Sequence, residues 1–438
     1  MNSLTYMQLL RRNRPFRQLW LGQVVSELGN WFNFIAGLGL VRLVSDKAAG
    51  ATTIMLVARL APFTVVAPFA GAFADRWSRR TVMIATDLAR AGIALTLLFV
   101  TRAEDLWIAY LCTALLSLFG AFFDAAKTAA VPNITGDRDL LAGNALMWSS
   151  RFLLMSLGAA MGGWTAAHFG YRAAFIINSI SFLISAYSVW LIPDRAIREE
   201  VKANRATGSG ERRSYWSDIR EGWSYIVGHA PVATILGINI IWATGGGAIN
   251  LISDRLGGLV FAGEHGMSGD SAVAAFYFSN GLGLFVGMLI ARRVGAHMEL
   301  LGRTVAFIGV TLVAQGILFA GIGLMPSLFW ACLALFVSRA VLGVEFAVQD
   351  TLLMRLVPDN LRGRVSTTDR ATEVLVWSFS TAVAGWSLGV IRPRTLTVIS
   401  GLLSAISGVV WLGLFTLKRV RLPQRLAGQA KRADAEVV

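Results

Sequence analysis

The chain has 438 residues, 55% of them hydrophobic and 15% charged, with a mean hydropathy of +0.59 and a formal net charge of +14. So large an apolar share supplies about a dozen membrane spans of 20 residues each, which excludes a soluble enzyme, a nucleic-acid-binding module and a disordered chain. The apolar runs are continuous and not alternating, so a β-barrel is excluded as well. Taken in chain order, the runs predict twelve transmembrane helices at 17–43, 52–74, 81–101, 106–127, 144–168, 172–192, 231–253, 271–292, 302–324, 327–350, 369–391 and 395–417. The expected fold class is therefore an all-α polytopic membrane protein. With both termini placed in the cytoplasm, 29 of the 40 Lys and Arg residues fall on the inner side and seven on the outer, the asymmetry of an inner-membrane protein. The high positive charge is then topogenic, and no nucleic-acid partner is implied.

The longest polar stretch, 193–230, divides the chain into an N-terminal tail (1–16), a six-helix bundle (17–192), a linker, a second six-helix bundle (231–417) and a basic tail (418–438). Within the linker, Trp216, Ile219, Trp223 and Ile226 recur at helical spacing with Asp218, Arg220 and Glu221 between them, which predicts an amphipathic helix on the inner leaflet. The halves echo each other: Asp124 and Val131-Pro132 recur as Asp350 and Val357-Pro358 at a constant offset of 226. Gly163-Trp164 likewise recurs as Gly385-Trp386. Internal duplication with the substrate between the halves is common among secondary transporters. Cys112 and Cys332 lie in apolar runs and are read as buried thiols, and the four histidines have no metal-ligand spacing.

Between the second and third runs the chain reads Gly71-Ala-Phe-Ala-Asp75-Arg76-Trp-Ser-Arg79-Arg80. This resembles the G-x-x-x-D-R-x-x-R-R signature of the major facilitator superfamily, in the loop where that family carries it. Arg59-x-x-Pro62, Asp87-x-x-Arg90 and the run Val357-Pro358 to Arg364-Val365 narrow the resemblance to the drug:proton antiporter branch with macrolide-efflux and enterobactin-export members. The resemblance implies the major facilitator fold and a monomer in the cytoplasmic (inner) membrane of a bacterium. It further implies export of a small organic molecule driven by the proton gradient, with no bound cofactor. Gly71, Asp75, Arg76, Arg79 and Arg80 would form a cytoplasmic gating motif. The second-half copy departs from the pattern at Ala291, where Asp75 has its carboxylate, which implies asymmetric gating.

Ionisable groups inside a span are costly and default to functional candidates. On the first span Gln23, Ser26, Glu27, Asn30 and Asn33 share an arc of roughly 120°, and such an arc needs a cavity or a polar partner. The resemblance puts spans one, four, seven and ten around a central cavity, with Glu27 near the midplane. Glu27 is the expected proton-coupling carboxylate; the alternatives are permanent pairing with a cavity arginine, or direct contact with a cationic substrate. Arg59, Arg90, Arg151 and Arg339 lie within spans, against the acidic Glu27, Asp87, Asp124, Glu345 and Asp350. Asp87 and Arg90 are spaced to pair on one helix face. Arg339 and Glu345 lie on different faces of their helix and are expected to pair with other helices, and Glu345 is the second coupling candidate. Asp124 and Asp350 are expected to act as latches, near Arg76 and Arg79 and near Arg292 and Arg293 respectively.

Asn239, Trp242 and Gly245-Gly246-Gly247 predict a hinge or binding-site break in the seventh span, with tight packing as the alternative. Trp31, Phe34, Trp242, Tyr277 and Trp377 could line an aromatic substrate pocket or serve as ordinary packing. No Walker or H-E-x-x-H pattern occurs, so no catalytic residue is expected and the protein reads as no enzyme. A lysophospholipid or lipid translocator, or an uptake carrier of the same fold, are the alternative functions.

Overall fold

The computed structural model describes residues 6–45, 49–74, 77–197, 215–358 and 361–416, and among them all regular structure is helical. Asp75 and Arg76 of the expected gating motif, residues 198–214 of the linker and the tail beyond 416 lie outside the described residues, as do the side chains of residues 63–74 and of Trp216 and Ile219.

A short helix α1 (Tyr6–Arg12) meets the long α2 (Arg14–Val44) at Asn13. The Asn13 side chain accepts from the Phe16 amide at 2.9 Å and donates to the Ile134 carbonyl at 2.7 Å, so one N-cap residue also ties two helices together. Next come α3 (Ala49–Ala74) and α4 (Arg79–Thr96), and then α5 (Leu106–Trp190), an unusual helical run of 85 residues. A straight rod of that length would measure about 130 Å, several times the thickness of a bilayer core. It does not run straight, because Gly136 (φ 69°) and Gly170 (φ 77°) take left-handed backbone conformations that glycine adopts without penalty. These two breaks fall where the sequence predicts its fourth, fifth and sixth spans to part. The helices continue well past the expected end at 127, carrying Lys127 and Pro132 inside them.

After α6 (Asp194–Ile197) and α7 (Tyr215–Gly228), the second half is built of α8 (Ala230–Gly246), α9 (Ile249–Arg255), α10 (Gly269–Leu300), α11 (Thr304–Ile322), α12 (Leu328–Leu356), α13 (Arg362–Ser387) and α14 (Pro393–Thr416). Nine described stretches are long and apolar enough to cross a membrane, one of them (Ala142–Trp190) covering two of the expected spans. The span expected at 369–391 is helical, but Asp369, Arg370 and Glu373 crowd the N-terminal part of α13 and leave it outside that set.

Two units divide the chain: Met1–Tyr215 with Gly257–Phe278, and Trp216–Leu256 with Ser279–Val438. The first has a core around Phe16, Leu19, Met83, Phe123, Val131 and Val189. The second is centred on Ile235, Trp242, Leu312, Leu342, Trp411 and Phe415. Close backbone approach does much of the packing, as expected where lipid is as apolar as leucine. On α10 and α12, Gly283, Gly287 and Gly343 leave no room for a Cβ against the facing backbone, and Gly316, Gly401 and Gly408 do the same between α11 and α14.

The triple glycine combines the two alternatives, a helix break at Gly247-Ala248 and tight packing of the glycines around it. Gly245 abuts the backbone of Ser400 and Ser404, Gly247 meets Trp377, and all three glycines are buried. The helical ladder slips between α8 and α9, and hydroxyls of α13 bond carbonyls of this stretch: Ser380 donates to Thr244 O at 2.7 Å and Thr381 to Gly247 O at 3.0 Å.

Two further expectations are corrected, those on Arg42 with Arg255 and on Cys332, and one face of α7 is seen to pack on protein. The amphipathic α7 is docked on protein: Gly222 lies against Arg364 and Thr368, Glu221 pairs with Arg364 at 2.6 Å, and Tyr225 donates to Leu356 O at 3.2 Å. Ile226 joins the core and Trp223 stays exposed. Arg42 and Arg255, counted as outer-loop charges, are buried at helix ends because each has a carboxylate partner, Asp270 and Asp254. Cys112 is buried and Cys332 half-buried, both as free thiols.

Candidate functional site

Two constellations of polar side chains stand in apolar surroundings, one in each unit. In the first, Glu27 Oε1 lies 3.6 Å from Arg151 Nε, and Asn30 donates to Glu27 Oε2 at 3.2 Å. One helical turn earlier, Gln23 Oε1 accepts from Lys127 Nζ at 3.2 Å, and Lys127 in turn pairs with Asp124. The polar arc of α2 is therefore answered by cations of α5 at two levels, Arg151 against the Glu27 carboxylate and Lys127 against the Gln23 amide oxygen. Lys127 is a residue that sequence reasoning missed; its i,i+3 spacing from Asp124 is the signal, hidden by ending the helix at 127. Arg79 donates to Ala129 O at 3.0 Å and Arg80 to Trp190 O. Asp124 pairs with Lys127, one turn away on the same helix, and Arg76 of the expected latch lies outside the described residues.

Arg59 stands over the Phe34 ring at 4.0 Å and the Trp31 ring at 5.7 Å, and Tyr277 completes the cluster at 5.8 Å from Trp31 and 5.3 Å from Phe34. Asp87 and Arg90 are ion-paired as their spacing suggests, with the guanidinium between Phe123 (4.7 Å) and Phe182 (4.4 Å). A third group, unforeseen in the sequence, joins Arg42 to Asp270, whose other oxygen accepts from the Tyr171 hydroxyl at 2.6 Å.

In the second unit a small cleft, open to the outside, lies between α8, α11, α12 and α13. Gln349 donates to Asn239 Oδ1, and the Asn239 amide donates to both oxygens of Asp369 at 3.2 and 3.1 Å. Glu345 and Glu373 line the same pocket, only 2% and 5% exposed, and one oxygen of each (Oε1) has no hydrogen-bond partner. Glu373 Oε2 accepts from Arg370 at 2.7 Å, and Arg370 lies 5.7 Å over the Trp377 ring. Trp242 lines the pocket, 5.9 Å from Trp377, and neither indole N–H is bonded. Asp369, Glu373 and Gln349 were not foreseen: the first two sit in the opening turns of a span, where charge reads as a helix end.

Other expectations change here. The five aromatics form two groups, Trp31–Phe34–Tyr277 in the first unit and Trp242–Trp377 in the second. Asp350 lines the second pocket and makes no ion pair among the described residues, while Arg292 and Arg293 are exposed. The ion pair at that end is Arg355–Glu299, because α10 runs on past Arg293 to Leu300. Arg339 finds no carboxylate among the described residues; its guanidinium faces Phe319 at 4.9 Å with Nε and Nη2 unbonded. Glu345 has no basic partner either. Among the described residues no group of three His, Cys, Asp or Glu side chains could hold a metal ion.

Residues 19–368 match the family model of the Major Facilitator Superfamily. An uncharacterized MFS-type transporter, YfiS of Bacillus subtilis (strain 168), is 25% identical over 218 residues, which is 50% of this chain and 50% of that relative. The chain thus spans about half the length of that relative. A protein described as a bacilysin exporter, BacE of Bacillus amyloliquefaciens, is 26% identical over 293 residues, 64% of this chain and 70% of the relative. Among solved structures, a bacterial homolog of the human lysosomal transporter Spinster, inward-facing and unoccupied, superposes with a TM-score of 0.69 at 12% identity, covering 94% of this chain and 99% of that one. At that identity the likeness is one of fold.

Proposed function

The chain belongs to the Major Facilitator Superfamily, and from that premise we propose that this multi-pass membrane transporter exports a small organic molecule, drug-like or siderophore-like, from a bacterial cytoplasm by alternating access coupled to proton antiport. In this reading the chain crosses the inner membrane twelve times with both ends in the cytoplasm, as bundles 17–192 and 231–417, and works as a monomer without a bound cofactor. The 29-to-7 distribution of basic residues and the breaks at Gly136 and Gly170 support it, as does the likeness to a protein described as an exporter.

The observation that carries the coupling assignment is Glu27. It is a carboxylate in the middle of an apolar helix, held by Arg151 at 3.6 Å and Asn30 at 3.2 Å. A proton arriving on Glu27 removes the charge that holds Arg151, so protonation and side-chain rearrangement are one event. Gln23 and Trp31 flank Glu27 on the same helix, and Asp75, Arg76 and Arg79 supply the cytoplasmic gate.

The test is antibiotic and dye susceptibility in an efflux-deficient bacterium, comparing wild type with Glu27→Gln at matched membrane levels. Wild type is expected to protect against bulky organic compounds and Glu27→Gln to lose that protection. Equal protection by both removes Glu27 from coupling. Protection by neither overturns drug export and favours lipid translocation or uptake.

A further inference from the structure

The pocket of the second unit gathers more carboxyl groups than there are cations bonded to them. Glu345, Asp350, Asp369 and Glu373 line it, and among the described residues the cation bonded to any of them is Arg370, on Glu373 Oε2. Part of this polarity is settled internally, because the Gln349–Asn239–Asp369 chain satisfies the Asp369 carboxylate. Glu345 Oε1 and Glu373 Oε1 are different: both belong to enclosed side chains, both border the empty space, and neither has a donor. Buried carboxyl oxygens without a donor are costly, and native structures retain them where something else completes them.

The missing partner's chemistry follows from what surrounds those oxygens. They are acceptors, so the partner brings N–H or O–H donors; the local charge is negative, so it is a cation. A bare metal ion does not fit, since the acidic groups lack metal-site geometry. Trp242, Leu342 and Phe346 line the same pocket, which gives an apolar body a surface and a cation two aromatic rings nearby. We propose that this pocket binds an amphipathic organic amine, its ammonium N–H groups held by Glu345 and Glu373 and its apolar body laid against Trp242 and Phe346. A quaternary ammonium carries the charge without the N–H donors and fits less well. The inference rests on the transport reading for its physiological meaning, because it names the class of cargo that this half of the carrier accepts.

The experiment measures binding without transport. The purified full-length chain in lipid nanodiscs is titrated with dansylcadaverine, a primary ammonium on a fluorescent apolar body. The comparisons are its neutral N-acetyl derivative and its trimethylammonium derivative. Saturable enhancement is expected with the amine. Binding should be at least about tenfold weaker for the acetylated probe, the loss of one charge-assisted bond, and intermediate for the quaternary one. Glu345→Gln and Glu373→Gln are each expected to weaken amine binding about tenfold while leaving that of the neutral probe unchanged. Asp350→Asn, at an exposed position on the rim, supplies a variant whose folding is not at risk and weakens the amine severalfold. No saturable amine binding, equal affinity for the acetylated probe, or undiminished binding by both folded glutamine variants overturns the proposal. Amine binding without protection in the susceptibility assay keeps this site and removes the export reading; protection without amine binding removes this site alone.

Discussion

The Asp87–Arg90 pair offers a quantitative test of how this protein keeps charge inside a helix bundle. Asp87 is 0% and Arg90 5% exposed, so the weak energetics of surface ion pairs do not apply. Removing one member of such a pair strands the other, at a cost of about 3–5 kcal/mol. Asp87→Asn leaves the Arg90 cation between the Phe123 and Phe182 faces, at 4.7 and 4.4 Å, contacts that wild type already makes and that therefore do not offset the loss. Asp87→Asn should cost about 3–5 kcal/mol, and Arg90→Met, which strands a carboxylate and also loses both aromatic contacts, that much or more. The double variant removes both charges and keeps the volume, so it should return to within about 2 kcal/mol of wild type. Equilibrium unfolding in mixed micelles, followed by tryptophan fluorescence, measures all three. Additive losses in the double variant, or single variants within about 1 kcal/mol of wild type, would refute the reasoning. Full recovery of stability with transport still abolished would make the pair functional rather than structural.

Arg339→Met should leave stability unchanged or raised, because Arg339 faces Phe319 with two unbonded nitrogens and no carboxylate among the described residues; the same unfolding assay reads it beside Arg90→Met, and an equal loss would count against the distinction. Tyr171→Phe removes one charge-assisted hydrogen bond to Asp270 and should cost about 1.5–3 kcal/mol, visible as a lowered melting temperature. Gly287→Val forces a side chain into the Ala340 backbone and should abolish the monodisperse peak on size exclusion, whereas Gly92→Ala, in open space on α4, should be neutral or stabilising by about 0.5–1 kcal/mol.

What the chain discloses without coordinates depends on distance along it. Helical membrane character is written in the apolar runs, and the Asp87–Arg90 contact in a three-residue spacing. The Arg42–Asp270–Tyr171 group joins residues up to 228 positions apart, and no local pattern marks them as partners. Arg42 then looks like one more loop arginine until its carboxylate is seen. Asp369 and Glu373 escape for another reason: near the start of a helix, acidic residues are what capping and dipole arguments lead one to expect, so their place in a pocket is camouflaged. Lys127 is lost to a helix boundary set more than two turns too early. The pairing of Glu27 with an arginine is legible as one option among several, since a carboxylate inside an apolar span demands a partner, but only the fold selects Arg151.

The glycine rows between α10 and α12 and between α11 and α14 bear on how the second unit deforms. Backbones in such contact interlock like teeth, so neither helix of a couple slides or turns without a collision at every step along the seam. Movement in this unit is then confined to couples travelling as planks, with distortion collecting where the ladder is already interrupted, at Gly247 and Ala248 between α8 and α9. Asn239 and Trp242 sit one to two turns before that interruption and Asp254 a similar distance beyond it. A bend there would re-aim the pocket wall while the planks stay intact, which puts the adjustable joint of this half beside its polar pocket.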